Sequence, residues 1–227
     1  MTLLRIASFD IGKKNFAFCI EECDRDRLLD TAFKPTPKTT LGEEYMQMVQ
    51  DIHSNGTLLL LDNVDLTKGV KQPKGQAIGA DVYLEMYTVL DQYRELWDTC
   101  HVFVIEQQMG FGNRRNTMAL KLAQHCYSYF AMLYRGSKEI YEIPAYQKTR
   151  VFTKSKLNDS QRKKWAVTRA VEILQSRQDS KHLDLIKSRK KKDDLSDVIV
   201  QAQAYKYLYN RRIHATPLSK SSTPRSL

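Results

Sequence analysis

Four acidic residues could do chemistry because of where they fall in the sequence. Asp10 ends the strand-like run LLRIASF, and Glu106 ends VFVIE, the most hydrophobic strand-like run of the chain. Asp194 and Asp197 lie three residues apart at the start of a C-terminal helical pattern, so they occupy neighbouring positions on one face. A carboxylate that finishes a buried segment is costly unless it is paired or bound to a cation. The set therefore indicates a cation site.

Each acid also has an ordinary structural explanation. Asp10 could cap a turn, Glu106 could emerge into solvent, and Asp194 and Asp197 could complement the dipole of their helix. Taken together, however, two strand-end acids and a D-x-x-D pattern are what a pair of divalent cations requires. Mg²⁺ prefers oxygen ligands, and two ions about 3.5–4 Å apart can activate a nucleophile and stabilise the leaving oxygen.

Strand and helix patterns define the elements that must position these acids. The runs LLRIASF (3–9) and NFAFCIEE (15–22) predict a hairpin around a tight turn. Further strands are predicted at 57–66, 102–106 and 139–143. Helical patterns cover 81–97 and approximately 114–135, 160–178 and 194–212. This order predicts an α/β fold in which helices flank a mixed sheet.

Length and composition narrow the class of protein. The chain has 227 residues, of which 42% are hydrophobic, enough for one sizeable domain. No apolar stretch is long enough for a transmembrane helix, and the first residues lack a signal or transit pattern, so an intracellular protein is expected. The four cysteines are too scattered for a disulfide framework or a zinc site and are expected to be reduced thiols.

Positive charge is concentrated in the last third of the chain. Residues 1–147 hold 16 basic and 19 acidic side chains, whereas residues 148–227 hold 20 basic and 7 acidic ones. This asymmetry indicates a surface that faces a polyanion, although a merely soluble basic face would give the same count.

Four segments resemble the motifs of one enzyme family. DIGKKNFAF (10–18), VIEQQ (104–108), IPAYQK (143–148) and KKDDLSD (191–197) are similar, in order, to those of the RuvC-like Holliday junction resolvases. The similarity is greatest to the poxvirus-type branch, which is related to the fungal mitochondrial enzymes. The resemblance implies a ribonuclease H-like mixed five-stranded sheet flanked by helices. We expect one such domain over 1–212, with an inserted or irregular segment at about 31–80, and a disordered tail over 213–227.

The resemblance also implies a reaction and an active site. The reaction is paired nicking of a four-way DNA junction by a homodimer with two Mg²⁺ ions per site (Mn²⁺ being an alternative), leaving 5′-phosphate and 3′-hydroxyl ends. The implied metal ligands are Asp10, Glu106, Asp194 and Asp197, and Lys148 is the implied basic residue at the scissile phosphate. Asp193 is an alternative to Asp194 as a ligand. The place of action is the host cytoplasm if the protein is viral, with mitochondrial or nuclear action left open.

Basic residues are expected to hold the DNA arms by their backbone phosphates, without reading bases. The candidates are Lys13, Lys14, Arg114, Arg115, Arg150, Lys154, Lys156, Arg162, Lys163, Lys164, Lys190, Lys191 and Lys192. The run from Lys187 to Lys192 has three interpretations: a DNA contact, an import-like basic patch, or a loop beside the metal site. The helix at 114–135 either forms the dimer interface or packs on the sheet.

Three other functions share part of this pattern. A sugar-kinase or actin-like ATPase is excluded, because that family needs two such domains and a second Asp-x-Gly loop. A ribonuclease that cuts RNA–DNA hybrids shares the metal chemistry and stays open. A non-catalytic binder of branched DNA is disfavoured, because four acids beside a polyanion site would repel the ligand unless metal is bound.

Overall fold

Five strands form one mixed sheet in the computed structural model, which describes residues 2–70, 78–108 and 116–215. The strands are β1 (Leu3–Asp10), β2 (Phe16–Asp24), β3 (Thr57–Val64), β4 (Val102–Gln107) and β5 (Glu139–Pro144), in the order β3-β2-β1-β4-β5. The β1–β2 and β2–β3 pairs are antiparallel, whereas β1–β4 and β4–β5 are parallel. The predicted hairpin and mixed sheet are confirmed.

Helices connect and cover the strands. They are α1 (Arg25–Asp30), α2 (Glu43–Ser54), α3 (Ala80–Gln92), α4 (Arg94–Thr99), α5 (Thr117–Tyr134), α6 (Gln147–Arg150), α7 (Asp159–Ser176), α8 (Ser180–Ser188) and α9 (Asp193–Ala215). The prediction of a single helix over 81–97 was wrong, because α3 ends at Gln92 and α4 begins at Arg94, with Tyr93 between them. The short helices α1, α6 and α8 were not predicted, since four to nine residues carry too little periodicity.

Each face of the sheet carries its own hydrophobic core. Alternate residues of β4 belong to the two cores in turn. Val102 and Val104 lie in the core formed with α2, α7 and α9, whereas Phe103 and Ile105 lie in the core formed with α3, α4 and α5. A strand buried on both faces has no polar side to present, which explains the continuous apolar run in its sequence.

The segment predicted as inserted or irregular contributes to the main core. Helix α2 buries Tyr45, Met48, Val49 and Ile52 beside α9, and β3 forms one edge of the sheet. Only the loops around these two elements are irregular among its described residues. The tail beyond 215 lies outside the described residues, and α9 continues three residues past the predicted end at 212.

All four cysteines are buried free thiols, as expected. Burial raises the pKa of Cys23 to about 11 and the pKa of Cys100 to about 12, so both are protonated near neutral pH. Within the described ranges, none of the helices is both long and apolar enough to cross a membrane.

Because His53 is buried, we expect the free energy of unfolding to fall in mild acid. Burial, reinforced by Lys206, Arg169 and Arg177 and opposed by Glu21, lowers the pKa of His53 to about 3. The unfolded chain takes up a proton near pH 6.5 while the folded chain does not, so the free energy of unfolding falls by about 3 kcal/mol between about pH 7 and about pH 4. Urea unfolding of His53→Phe at both pH values should show a correspondingly smaller decrease. An unchanged pH dependence in the variant would contradict this assignment.

Candidate active site

Two acids meet at one edge of the sheet because their strands are parallel neighbours. Phe9 pairs with Ile105, so Asp10 at the end of β1 and Glu106 in β4 follow side by side at the carboxyl ends of these strands. Their side chains are only partly exposed. The sequence signal, an acid that closes an apolar strand, predicted this position at the strand ends, and the role of both residues stays a prediction.

Helix α9 brings the other two acids to the same edge. One residue anchors it there: the buried Gln201, whose Nε2 donates to Ser8 Oγ at 3.1 Å and to the carbonyl oxygens of Phe9 at 3.0 Å and Val104 at 3.2 Å. Asp197 lies one turn before Gln201 and therefore beside the ends of β1 and β4. Sequence reasoning missed Gln201. The available signal was a polar side chain within the buried arc of α9.

Lys148 connects the acids of the sheet with those of the helix. Helix α6 follows β5, which runs parallel to β4, and places Lys148 over the same edge. Its Nζ lies 2.9 Å from Asp197 Oδ2 and 3.4 Å from Glu106 Oε2, and its side chain is 12% exposed. Burial alone would lower the pKa of Lys148, but Glu106, Asp197 and Asp10 together raise it. The ammonium is therefore charged at neutral pH.

The acids repel one another across this cluster. Burial, followed by the charge of Glu106, raises the pKa of Asp10 to about 7, with Lys148 and Lys191 acting in the opposite direction. Burial also raises the pKa of Asp197, whose charge is further disfavoured by Asp10 and favoured by Lys148. Closely spaced buried carboxylates ionise together only when positive charge is supplied between them.

Asp193 and Asp194 point to different partners. Asp194 is buried, and its pKa is raised first by burial and also by the charges of Asp193 and Asp10, while Lys191 Nζ lies 2.7 Å from its Oδ1. Asp193 instead pairs with Lys163 on α7 at 2.7 Å. The burial of Asp194 and the pairing of Asp193 with Lys163 favour Asp194 over Asp193 as a member of the cluster.

The donor set fits a hard divalent cation, because it consists of carboxylates whose mutual repulsion requires added positive charge. Within the described residues, however, no group of three or more His, Cys, Asp or Glu side chains is arranged to hold a metal ion. The ammonium groups of Lys148 and Lys191 instead neutralise Glu106, Asp197 and Asp194. Cation binding by the four predicted ligands stays a prediction.

The predicted DNA-binding residues lie in three places. The loop after β1 carries Lys13 and Lys14, and the turn before α9 carries Lys190, Lys191 and Lys192, so both adjoin the acids. Lys163 and Lys164 lie on exposed positions of α7. Four further residues line one cavity on the outer side of α6 and α9: Arg150, Lys154, Lys156 and Arg162. Arg114 and Arg115 lie outside the described residues.

Comparison with known proteins establishes the family. The chain is 34% identical over 236 residues to the "Uncharacterized protein 170L" of Invertebrate iridescent virus 6, covering 90% of this chain and 89% of that protein. It is 32% identical over 212 residues to the "Uncharacterized protein 97L" of Invertebrate iridescent virus 3, covering 88% of this chain and 98% of that protein. The chain belongs to the family of these two viral proteins. No family model matches the chain.

Solved structures similar to this member of the 170L and 97L family establish its fold. The fowlpox virus resolvase, solved with substrate Holliday junction DNA, gives a TM-score of 0.55 at 16% identity, over 91% of this chain and 99% of the resolvase. The yeast mitochondrial resolvase Ydc2 gives a TM-score of 0.52 at 13% identity, over 93% of this chain and 83% of Ydc2. Thermus thermophilus RuvC gives a TM-score of 0.50 at 11% identity, over 91% of this chain and 98% of RuvC. The fold is that of RuvC-like resolvases of the poxvirus and mitochondrial type, as the sequence motifs predicted.

Proposed function

We propose that this protein is a structure-selective DNA endonuclease that resolves four-way junctions by paired, metal-dependent nicks. The observation that carries the proposal is the convergence of Asp10, Glu106, Asp197 and the charged Lys148 at one edge of a resolvase-type sheet. Several acids around a buried lysine are costly for stability alone, and strongly perturbed ionisation is typical of functional sites. Similarity to a resolvase solved with its junction supports the same substrate class.

The proposed roles follow from the contacts of each residue. Asp10, Glu106, Asp194 and Asp197 would hold Mg²⁺, two ions per site, with Mn²⁺ as an alternative. Bound divalent cations supply an activated water nucleophile and stabilise the leaving oxygen, which gives 5′-phosphate and 3′-hydroxyl ends.

The chain's own residues orient and neutralise the substrate. Lys148, held beside Glu106 and Asp197, would balance the charge that develops on the phosphate. Gln201 holds the turn that carries Asp197 against the sheet. Basic residues on α7 and around the site hold the arms by their backbone phosphates.

Paired nicking requires two active sites on one junction. We therefore propose a homodimer that acts inside the cell, in the host cytoplasm if the protein is viral. Helix α5 packs on the sheet through Leu122, Cys126 and Phe130. Its opposite face, where Met132 is 76% exposed, is available for a second copy of the chain.

Nicking of a synthetic immobile four-way junction tests the proposal. Full-length protein with Mg²⁺ should place symmetric nicks in opposing strands of the junction and leave a linear duplex of the same sequence intact. Asp10→Asn should abolish nicking while junction binding survives, because the substitution removes a ligand but no positive charge. Binding measured by gel shift in Ca²⁺ separates the two effects.

The same assay distinguishes the alternatives. Cutting of a matched RNA–DNA hybrid in place of the junction would reassign the protein as a ribonuclease. Junction binding without cutting in Mg²⁺ or Mn²⁺ would leave a non-catalytic branched-DNA-binding protein.

A further inference from the structure

A groove lies between α6, α7, the C-terminal half of α9 and the segment before α2, and no strand residue lines it among the described residues. Its volume is about 1080 Å³, at the upper end of ligand-binding cavities. Its walls come from four parts of the chain: the segment 33–38 before α2, the segment 146–157 around α6, Arg162 on α7, and the C-terminal half of α9. We call it the basic groove.

The walls of the basic groove are held together by side-chain contacts. Thr36 shares hydrogen bonds with the hydroxyls of Tyr45, at 3.2 Å, and Tyr207, at 3.1 Å. The Tyr45 hydroxyl also donates to the carbonyl of Val151, and Phe33 packs on Tyr207 with ring centroids 5.5 Å apart. These contacts join α2, α9 and the two irregular segments, so the groove is built into the fold.

The charge of the basic groove is of one sign. Six basic side chains line it, and no acidic side chain does so among the described residues. The six are Lys38, Arg150, Lys154, Lys156, Arg162 and Arg211. Lys38 comes from the segment before α2 and Arg211 from α9, and neither was singled out in the sequence. A groove with this lining selects a polyanion.

Apolar rings accompany the charges. Phe33, Pro35, Pro37 and Tyr146 line the groove, and Tyr146 is 50% exposed, with the guanidinium of Arg150 5.9 Å from its ring. Tyr207 is only 2% exposed and packs on Phe33, so it supports the wall. The side-chain oxygen of Gln147, another lining residue, is buried and accepts no hydrogen bond from the described residues. A ligand with phosphates, flat rings and N–H donors would match the basic side chains, the apolar rings and the Gln147 oxygen, respectively.

We propose that the basic groove binds a short unpaired strand of nucleic acid, with phosphates on the basic rim and bases on the apolar rings. A duplex presents only its backbone to such a surface, because its bases are stacked on one another. Single-strand sites combine a positive groove with stacking platforms in this way. Under the proposed function, Gln147 and Thr149 in the groove wall flank Lys148, so the strand would be one that leaves the branch point beside the scissile phosphate.

Charge reversal tests the groove. Binding of a fluorescein-labelled dodecathymidylate to the full-length protein is measured by fluorescence anisotropy at fixed salt. Lys38→Glu with Arg211→Glu should weaken binding by about tenfold or more. The matched control, Arg25→Glu with Lys181→Glu, reverses one exposed arginine and one exposed lysine on α1 and α8, outside the groove, and should change binding by less than about threefold. Equal weakening by both pairs, or no binding by the wild type, would overturn the proposal.

A second arm tests the stacking. An abasic strand of the same length should bind about tenfold more weakly than the thymidylate. Tyr146→Ala should weaken thymidylate binding, whereas Tyr146→Phe should retain it, because the ring rather than the hydroxyl stacks. Equal affinity for the abasic strand would reduce the groove to a non-specific polyanion site and contradict the proposal.

Failure of this inference is distinguishable from failure of the proposed function. If the wild type nicks junctions but the groove variants bind thymidylate normally, only the groove assignment is wrong. If the wild type binds thymidylate through the groove but nicks no junction, only the nuclease assignment is wrong.

Discussion

Lys148→Met is expected to slow junction nicking by about two to three orders of magnitude. The wild-type ammonium is the charged group that contacts both Glu106 and Asp197, and methionine keeps the length of the side chain while removing that charge. Single-turnover rates with saturating enzyme isolate this effect from weaker DNA binding. The exposed Lys181 on α8 supplies the matched control, because Lys181→Met should nick at the wild-type rate.

The same variant has a second readout that does not depend on nicking. Without the ammonium, Glu106, Asp197 and the neighbouring Asp10 lack their shared counter-charge, so the folded protein gains more from a bound cation. The rise in Tm on adding Mg²⁺ should therefore be larger for Lys148→Met than for the wild type. A wild-type nicking rate in the variant would remove Lys148 from the active site. An unchanged response to Mg²⁺ would show that the lysine does not occupy the cation region.

Glu21→Gln is expected to lower the free energy of unfolding by about 3–5 kcal/mol. Glu21 on β2 is fully buried, and its Oε1 lies 2.6 Å from Lys206 Nζ and 3.0 Å from Arg177 Nη2. Gln203 Nε2 donates to its other oxygen at 2.6 Å. Loss of the carboxylate leaves two cations facing each other without a counter-charge. The backbone at Gly56 packs closely against Glu21 and Arg177, so that a side chain at this position would overlap both.

The adjacent Glu22 supplies a matched control for that measurement. It pairs with Arg5 at 2.5 Å, but its side chain and that of Arg5 are both partly exposed. Glu22→Gln should cost about 1 kcal/mol or less in urea unfolding at neutral pH. Similar losses in the two variants would contradict the special role of the buried cluster.

The buried cluster also makes stability depend on pH. Burial would raise the pKa of Glu21, but Arg177 and Lys206 lower it to about 2. Because the folded-state pKa is depressed, the carboxylate stabilises the protein fully above its unfolded-state pKa near 4.5, and this contribution is lost as the pH falls towards 2. In Glu21→Gln this part of the acid transition should disappear.

The strands and the long helices could be read from the sequence because they are local patterns. The apolar run of β4 and the 3.6-residue periodicity of α5 and α9 report burial without knowledge of what covers them. Helix ends and short helices that carry no such signal were not predicted. The turn at Tyr93 carries neither Gly nor Pro, and α6 contains only four residues.

The sequence by itself predicted the four acids, since an acid that closes an apolar strand or begins a helix is visible without the fold, and the resemblance of its motifs to those of the resolvases predicted Lys148. Only the tertiary structure decided how they interact: that Lys148 bridges Glu106 and Asp197, that Gln201 ties α9 to β1 and β4, and that Asp193 turns to Lys163. The same holds for Glu21, whose partners lie 156 and 185 residues along the chain. Local periodicity encodes how much of each element is buried, but which distant elements meet depends on the packing of the whole chain.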